Sequence, residues 1–328
     1  MKYLQTELHS HTMNSDGDFT TAELVQAAKD FGYKILAITD HNTMAPTLEL
    51  QQLTKETEGI RVLKGMEWTT FYGHLLVIGA REVIDWRDAE KDTIDASLKA
   101  IKAVGGITGI AHPFSIGSPI CTGCSWDFHV EDFGLINFIE VWNRLNPDDN
   151  FRSQQAYDMW VDLLDQGYRV SCSAGRDWHR QEAANDNTAL TFIGVSNMDD
   201  LELPTEEETL ESLKRGNFYI SLGPILDLYV SQKGQRFYMG DELSAGTTKA
   251  TVKVSGTEQE KLQHFGFFPE KIVVINNGKV INEREIDQGS TSYISLTIEP
   301  GYLRFEVWGT AKHKTNERLI IANPYYVV

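Results

Sequence analysis

Short apolar runs alternate with amphipathic stretches along the first two thirds of the chain. The runs at 3–8, 35–39, 61–66, 74–78, 107–111, 138–141 and 170–173 have the length and apolar content of strands. Between several of them, 21–31, 93–104, 153–164 and the acidic 206–214 carry apolar residues at helical spacing. The first of these follows a Thr cap and has Glu23 in its first turn. Strand and helix in alternation predict an α/β fold around a parallel sheet or barrel. Beyond this the texture changes. The stretches 227–230, 249–254, 271–276, 279–281, 293–298, 303–309 and 318–322 all look like strands, and Asn277-Gly278 forms a strong hairpin turn between two of them. No long helical pattern interrupts them. A small all-β, sandwich-like domain is expected there, with the boundary at Gly223-Pro224: residues 1–222 and 223–328.

Charge divides the chain at the same place. Residues 1–222 hold 35 acids and 18 bases, whereas 223–328 hold 12 of each. The chain's net charge of −17 speaks against a long nucleic acid or an anionic membrane as partner. With 328 residues, 41% of them hydrophobic and 23% charged, a disordered tail, a fibre and a disulfide-stapled miniprotein are all excluded. No run reaches the ~18–20 apolar residues of a membrane span, and the N-terminus lacks the apolar stretch of a signal peptide. Three cysteines suit a reducing compartment, so a cytoplasmic protein is expected.

Histidine is also uneven: seven of nine lie between His9 and His179. His9 and His11 end the first predicted strand, with Asp16 in the loop that follows. Asp40 and His41 end the second, Glu67 ends the third, and His74 opens the fourth. His112 ends the fifth, Glu140 sits in the sixth, and Asp177 and His179 follow the seventh. Residues at i and i+2 on extended chain point to one side, so His9 and His11 can share an ion, as can Asp177 and His179. In parallel α/β folds such strand ends converge on one face. A lone strand-end histidine is an ordinary structural residue, but His9, His11, Asp16, His41, Glu67, His74, His112, Asp177 and His179 together exceed what one ion can use. They fit two or three divalent ions, with Glu67 bridging.

The ordered segments ELHSHT, NSDG, AITDHN, GMEW, GHLLVIG, IAHPF, IEVWN and SAGRDWH, from about residue 7 to residue 179, resemble the polymerase-and-histidinol-phosphatase (PHP) family of metallohydrolases. The tail segment NFYISLGPIL and the ending ANPYYVV are similar to the branch that includes carbaryl-hydrolase-like proteins. The resemblance implies a distorted (β/α)7 barrel with a metal cluster at its open end. It implies that His9, His11, Glu67 and Asp177 hold a first ion, Glu67, His74 and His112 a second, and Asp16, His41 and His179 a third. Asp40 is implied as a carboxylate that orients a ligand imidazole. Asn42 stands where many relatives have Asp, which removes a negative charge near the third position. Mixed N and O ligation admits Zn, Mn or Fe.

Such a cluster serves hydrolysis, with a metal-bridging hydroxide as nucleophile and His179 or a metal-bound water as the candidate acid for the leaving group. Between Lys102 and Lys214 every base is Arg. Arg144, Arg176 and Arg180 flank the site segments, and their planar forks suit phosphate oxygens. With Asn143 they are the candidate substrate-binding residues. The expected function is hydrolysis of a small phosphorylated molecule. Hydrolysis of a carboxylic or carbamate ester, and metal binding without catalysis, are the alternatives. Cys121 and Cys124, near His129, are read as unpaired loop thiols, with a redox or zinc pair the alternative, and 115–133 as either a lid or a plain surface loop. Trp68, Trp142 and Trp178 are read as core, and the β domain as a packing or self-association module.

Overall fold

A computed structural model describes residues 1–117, 123–181, 187–199, 202–257, 260–263, 265–312 and 314–328. The first part is built from β1 (Lys2–Glu7), α1 (Thr21–Phe31), β2 (Ile35–Ile38), α2 (Ala45–Leu50), β3 (Arg61–Thr70), β4 (Gly73–Ile78), α3 (Ile94–Ala103), β5 (Ile107–Ile110), β6 (Phe138–Asn143), α4 (Phe151–Asp165) and β7 (Ser171–Gly175). Local chemistry sets the bounds of α1. Thr20 and Glu23 form a reciprocal capping box, and Gly32 ends the helix in the left-handed conformation. Its Leu24, Val25, Ala28 and Phe31 face the core.

Strands β1, β2 and β3 pair in parallel, as do β5, β6 and β7. The ladder returns to its start just beyond β7. Ser10 and Trp178 form a parallel bridge, the His11 N–H donates to Trp178 O (2.9 Å), and the Trp178 N–H donates to His9 O (3.1 Å). Strands and helices do not alternate one for one as a (β/α)7 barrel requires. Only Phe71-Tyr72 separate β3 from β4, too few for a crossover, so β4 runs antiparallel to both neighbours. This reversal has a consequence for the site. The first residues of β4 lie at the same rim as the last residues of the parallel strands.

Two further strands join on the other side of β1. β8 (Leu190–Val195) pairs antiparallel with it and β9 (Phe218–Ser221) with β8, with α5 (Glu206–Arg215) between. The C-terminal part comprises β10 (Ile225–Gln232), β11 (Gln235–Phe237), β12 (Glu242–Leu243), β13 (Gly246–Ser255), β14 (Phe268–Asn276), β15 (Lys279–Glu285), β16 (Thr291–Ile298), β17 (Gly301–Ala311), β18 (Lys314–Ala322) and β19 (Tyr325–Val327). Strands β11-β10-β13-β16 form one sheet, and β18 pairs with β9, so the other C-terminal strands continue the first sheet. Alternate residues such as Leu226, Leu228, Val252 and Leu296 share one buried cluster with Ile272, Val274 and Phe305. Asn277-Gly278 turns β14 into β15 with both φ positive, as its sequence predicts.

The C-terminal part is also tied to the first by side chains. The Asn323 amide exchanges hydrogen bonds with both backbone groups of Cys172 (2.7 and 3.1 Å). Tyr157 of α4 meets a buried ionic group formed by Arg304, Glu306 and Arg318. Strands from 1–222 and from 223–328 thus share one sheet. Among the described residues, no helix is long and apolar enough to cross a membrane.

Candidate metal centre

The loops at one rim of the β1–β7 ring gather the sequence-predicted residues. His9 and His11 follow β1, His41 follows β2, and Glu67 lies within β3. His74 is the second residue of β4, brought to this rim by that strand's reversal. His112 follows β5, and Asp177 and His179 follow β7. Glu7 clamps two of these strand ends together. Its Oε1 accepts from the His9 N–H (2.9 Å) and the Arg176 N–H (3.0 Å), and its Oε2 accepts from Tyr33 (3.0 Å). Burial pushes the Glu7 carboxyl up to about 7, against the opposing pull of the Arg176 charge.

Glu67 is the hub. Its Oε2 lies 3.1 Å from His9 Nε2, 3.4 Å from His11 Nε2 and 3.0 Å from His41 Nδ1. Its Oε1 lies 2.9 Å from His74 Nδ1 and 3.2 Å from His112 Nε2. Asp177 Oδ1 stands 3.4 Å from His9 Nε2 and 3.3 Å from His11 Nε2. Tetrahedral ligands at the usual bond length sit ~3.4 Å from one another. The four distances from His9 and His11 to Glu67 Oε2 and Asp177 Oδ1 lie near that spacing. A third group forms at the outer edge, where Asp16 Oδ1 lies 3.1 Å from His179 Nε2, 3.5 Å from His41 Nε2 and 3.9 Å from His11 Nδ1. Grouped by mutual reach, the sets are His9-Glu67-His112-Asp177, His41-Glu67-His74 and His11-Asp16-His41-His179. His41 and Glu67 thus each belong to two sets.

Two observations show that this donor set fits cations. First, His9 Nε2, both ring nitrogens of His11, Glu67 Oε2 and His74 Nε2 are buried without a hydrogen-bond partner, a costly state for polar atoms unless an ion fills it. Second, three imidazoles have Nδ1 occupied from behind. His9 Nδ1 donates to Glu140 (3.1 Å), His112 Nδ1 to the Cys124 carbonyl (3.1 Å), and His179 Nδ1 to the Asp177 carbonyl (2.7 Å). That tautomer leaves each Nε2 lone pair facing the cluster, as metal ligation requires.

The charges are mutually dependent. Burial opposes ionisation of Glu67 and Asp177, yet the facing imidazoles, His9 foremost, hold both carboxyls well below their usual range. Burial likewise opposes charge on His41, but the facing Asp16 and Glu67 carboxylates push it up to about 10. His9, His112 and His179 move up for the same kind of reason, whereas burial keeps His11 down. The protons on these rings occupy the place that divalent cations would take.

Other predicted site residues are placed differently. Asp40 does not meet an imidazole. It is buried and accepts from the Thr12 N–H (2.9 Å), Thr12 Oγ1 (3.0 Å) and Ser15 Oγ (2.6 Å), so it anchors the loop that carries Asp16. The Asn143 amide donates to Glu140 Oε2 (2.8 Å) and thus supports the partner of His9. The guanidinium of Arg176 is stacked over the rings of Trp178 (4.0 Å) and Phe31 (4.7 Å) in a buried wall. Arg144, Arg176 and Arg180 all line a cavity of about 650 Å³ together with His41, His74, His112 and His179. Arg144 donates to Asp177 Oδ2 (2.9 Å) and leaves its side chain 63% exposed.

Glu7 and Glu140 are the functional carboxylates that sequence reading left without a role. Trp68, Trp142 and Trp178 are buried in the core. Cys124 lines the cavity and is disulfide-bonded, which corrects its reading as a free thiol and removes the cysteine argument for a reducing compartment. Cys121 lies outside the described residues, as do His264 and His313. From Ser125 onward the 115–133 segment lies against its neighbours. The Trp126 N–H donates to Pro113 O (2.8 Å) and the Asp127 N–H to Tyr72 O (2.7 Å).

The chain is similar to several known proteins. The PHP domain family matches residues 7–101. An uncharacterised protein of Methanocaldococcus jannaschii is 31% identical over 156 residues, covering 44% of this chain and 85% of that protein. The DNA polymerase/3'-5' exonuclease PolX of Bacillus subtilis is 31% identical over 108 residues, 29% of this chain but only 18% of PolX. A two-domain protein from Bacteroides vulgatus, described as containing a predicted PHP-like metal-dependent phosphoesterase, superposes with a TM-score of 0.54 at 14% identity. That match covers 99% of this chain and 94% of the other, and it speaks to the fold alone. The strand-end cluster, the match to its N-terminal segments and the likeness over nearly the whole length of the archaeal protein lead to one conclusion: this chain belongs to the PHP family of metal-dependent hydrolases.

Proposed function

We propose that the protein is a phosphoesterase that hydrolyses a small phosphorylated molecule with two or three bound divalent ions, Zn, Mn or Fe. The observation that carries this reading is the division of Glu67. Its two oxygens face two different imidazole sets, as a carboxylate shared between two ions does. His9, His11, Glu67 and Asp177 would hold one ion, Glu67, His74 and His112 a second, and Asp16, His41 and His179 a third. Ions bound there would acidify water and neutralise charge on the attacked ester.

The remaining work falls to the chain's own residues. Glu140 and the Cys124 carbonyl hold His9 and His112 in the ligating tautomer. Arg144 is fixed at one end by Asp177 and open to the cavity at the other, so its free N–H groups are placed to grip phosphate oxygens. Arg180 adds a second cation at the same wall. His179 lies at the cavity edge with its Nδ1 proton given to the Asp177 carbonyl, so its Nε2 faces the cavity as a ligand. The cavity volume suits a small molecule, and the net charge of −17 disfavours a long nucleic acid. The test is turnover of a phosphomonoester panel beside naphthyl acetate and carbamate esters. Phosphoester turnover is expected. Turnover of the carboxylic or carbamate esters alone would transfer the same cluster to that chemistry.

A further inference from the structure

The β17–β18 hairpin reaches the loop that carries Arg144. Lys312, in the turn of that hairpin, donates from Nζ to Asn146 Oδ1 (2.9 Å) and Asp148 Oδ1 (3.1 Å), and lies 3.6 Å from Asp149 Oδ2. Its neighbour Lys314 pairs with Asp149. The Lys312 and Asp148 side chains are 17% and 3% exposed, so this is a largely dry ion pair and not a surface contact.

The loop needs such restraint. Arg144 and Asn146 both adopt left-handed backbone conformations (φ 61° and 51°), which Asn tolerates but a residue such as Arg144 holds only when its surroundings insist. The other restraints come from the barrel side. The Arg144 N–H donates to Gly175 O (3.0 Å), the Asn146 N–H to Asn187 O (2.7 Å), and Asn187 Nδ2 to the same Asp148 Oδ1 (3.1 Å). Among the described residues, Lys312 is the cation that fixes both Asn146 and Asp148 from the C-terminal part of the chain.

We infer that Lys312 is a positioning residue for the substrate site: through Asn146 and Asp148 it holds the 144–150 loop in the conformation that presents Arg144 to the cavity. The C-terminal β region thereby sets substrate affinity without lining the cluster. This inference rests on the reading of Arg144 as a phosphate contact, and the experiment separates the two. In full-length, metal-loaded protein, K312M, K312R, R144A and the K312M/R144A pair are compared by amide hydrogen exchange over 144–150, by inhibition with inorganic phosphate, and by KM and kcat on a phosphomonoester. K312M is expected to speed exchange in 144–150 and to raise KM and the phosphate inhibition constant about tenfold, with kcat and metal content unchanged. K312R is expected to restore most of both, and K312M to add nothing to R144A.

Where K312M alone fails to fold because Asp148 is left buried and unpaired, K312M/D148N removes that charge and carries the same expectation. Unchanged exchange in 144–150, or a KM effect that multiplies with that of R144A, overturns the inference. A wild-type protein that neither turns over phosphoesters nor is inhibited by phosphate overturns the phosphoesterase reading instead. The exchange measurement alone then decides whether Lys312 positions the loop.

Discussion

Glu67 Oε2 stands 3.1 Å from His9 Nε2, both side chains are fully buried, and neither atom has a hydrogen-bond partner. A neutral imidazole that donates its other proton to Glu140 presents only a lone pair here, so without a cation two acceptors would face each other. A shared proton relieves that repulsion in part; a divalent ion held there would relieve it fully, with His11 and Asp177 at hand as further ligands.

Protons and metal therefore compete for the same atoms, with a definite sign. His41 is raised from 6.5 to about 10, so in metal-free protein its contribution to stability is present below its unfolded value and is lost as pH rises toward 10. His9, His112 and His179 share that sign. The lowered carboxyls of Glu67 and Asp177 contribute above their unfolded values, and that part is lost as pH falls through the folded ones. Above neutrality the Tm of chelator-treated protein is expected to fall with pH, while the Tm rise on adding Zn or Mn grows. A metal-induced rise that shrinks across the same interval would contradict the cluster.

Glu140 is expected to act through His9. In E140Q the charge that fixes the His9 tautomer is gone while the side chain keeps its shape. Metal affinity should drop about tenfold to a hundredfold in chelator competition, with the fold intact by circular dichroism. Unchanged affinity would show that the tautomer of His9 is set elsewhere.

Arg144 offers a test of substrate class. R144A should raise KM for a phosphomonoester about tenfold and leave KM for a neutral ester within about twofold. Equal effects on both would assign Arg144 to Asp177 alone.

The contact between α4 and the C-terminal strands can be tested by stability. Glu306 is 2% exposed and faces Arg304, Arg318 (3.2 Å), Tyr157 and Trp308 Nε1 (2.8 Å). E306A leaves buried cations unpaired and should cost about 3–5 kcal/mol in urea unfolding. A loss below about 1 kcal/mol would mean that water or a shifted side chain replaces the carboxylate.

Much of the site was legible because metal ligation uses few residue types and strand ends repeat their positions. The i, i+2 pairs His9/His11 and Asp177/His179 announce a shared direction in sequence. The same alternation was available for Arg176, which shares its side with Trp178 and stacks on it at the cavity wall. The partners of Asp40 are hydroxyl groups of Thr12 and Ser15, residue types too common to carry a signal. The roles of Glu7 and Glu140 depend on which strands become neighbours, which local pattern does not record. Strand direction is equally silent: the run 74–78 is plain, but its reversal follows from the two-residue link Phe71-Tyr72. β8 and β9 went unread although LTFIGV is a continuous apolar run, because no amphipathic helix separates it from β7 to mark a repeat unit.

The central claim is that the Glu67 cluster holds metal, and elemental analysis of protein purified without chelator tests it most directly. The account predicts about two to three equivalents of Zn, Mn or Fe per wild-type chain and about one or fewer in a folded E67A variant. Wild-type protein with near-zero metal that neither Mn nor Zn restores, or E67A with undiminished content, would contradict it.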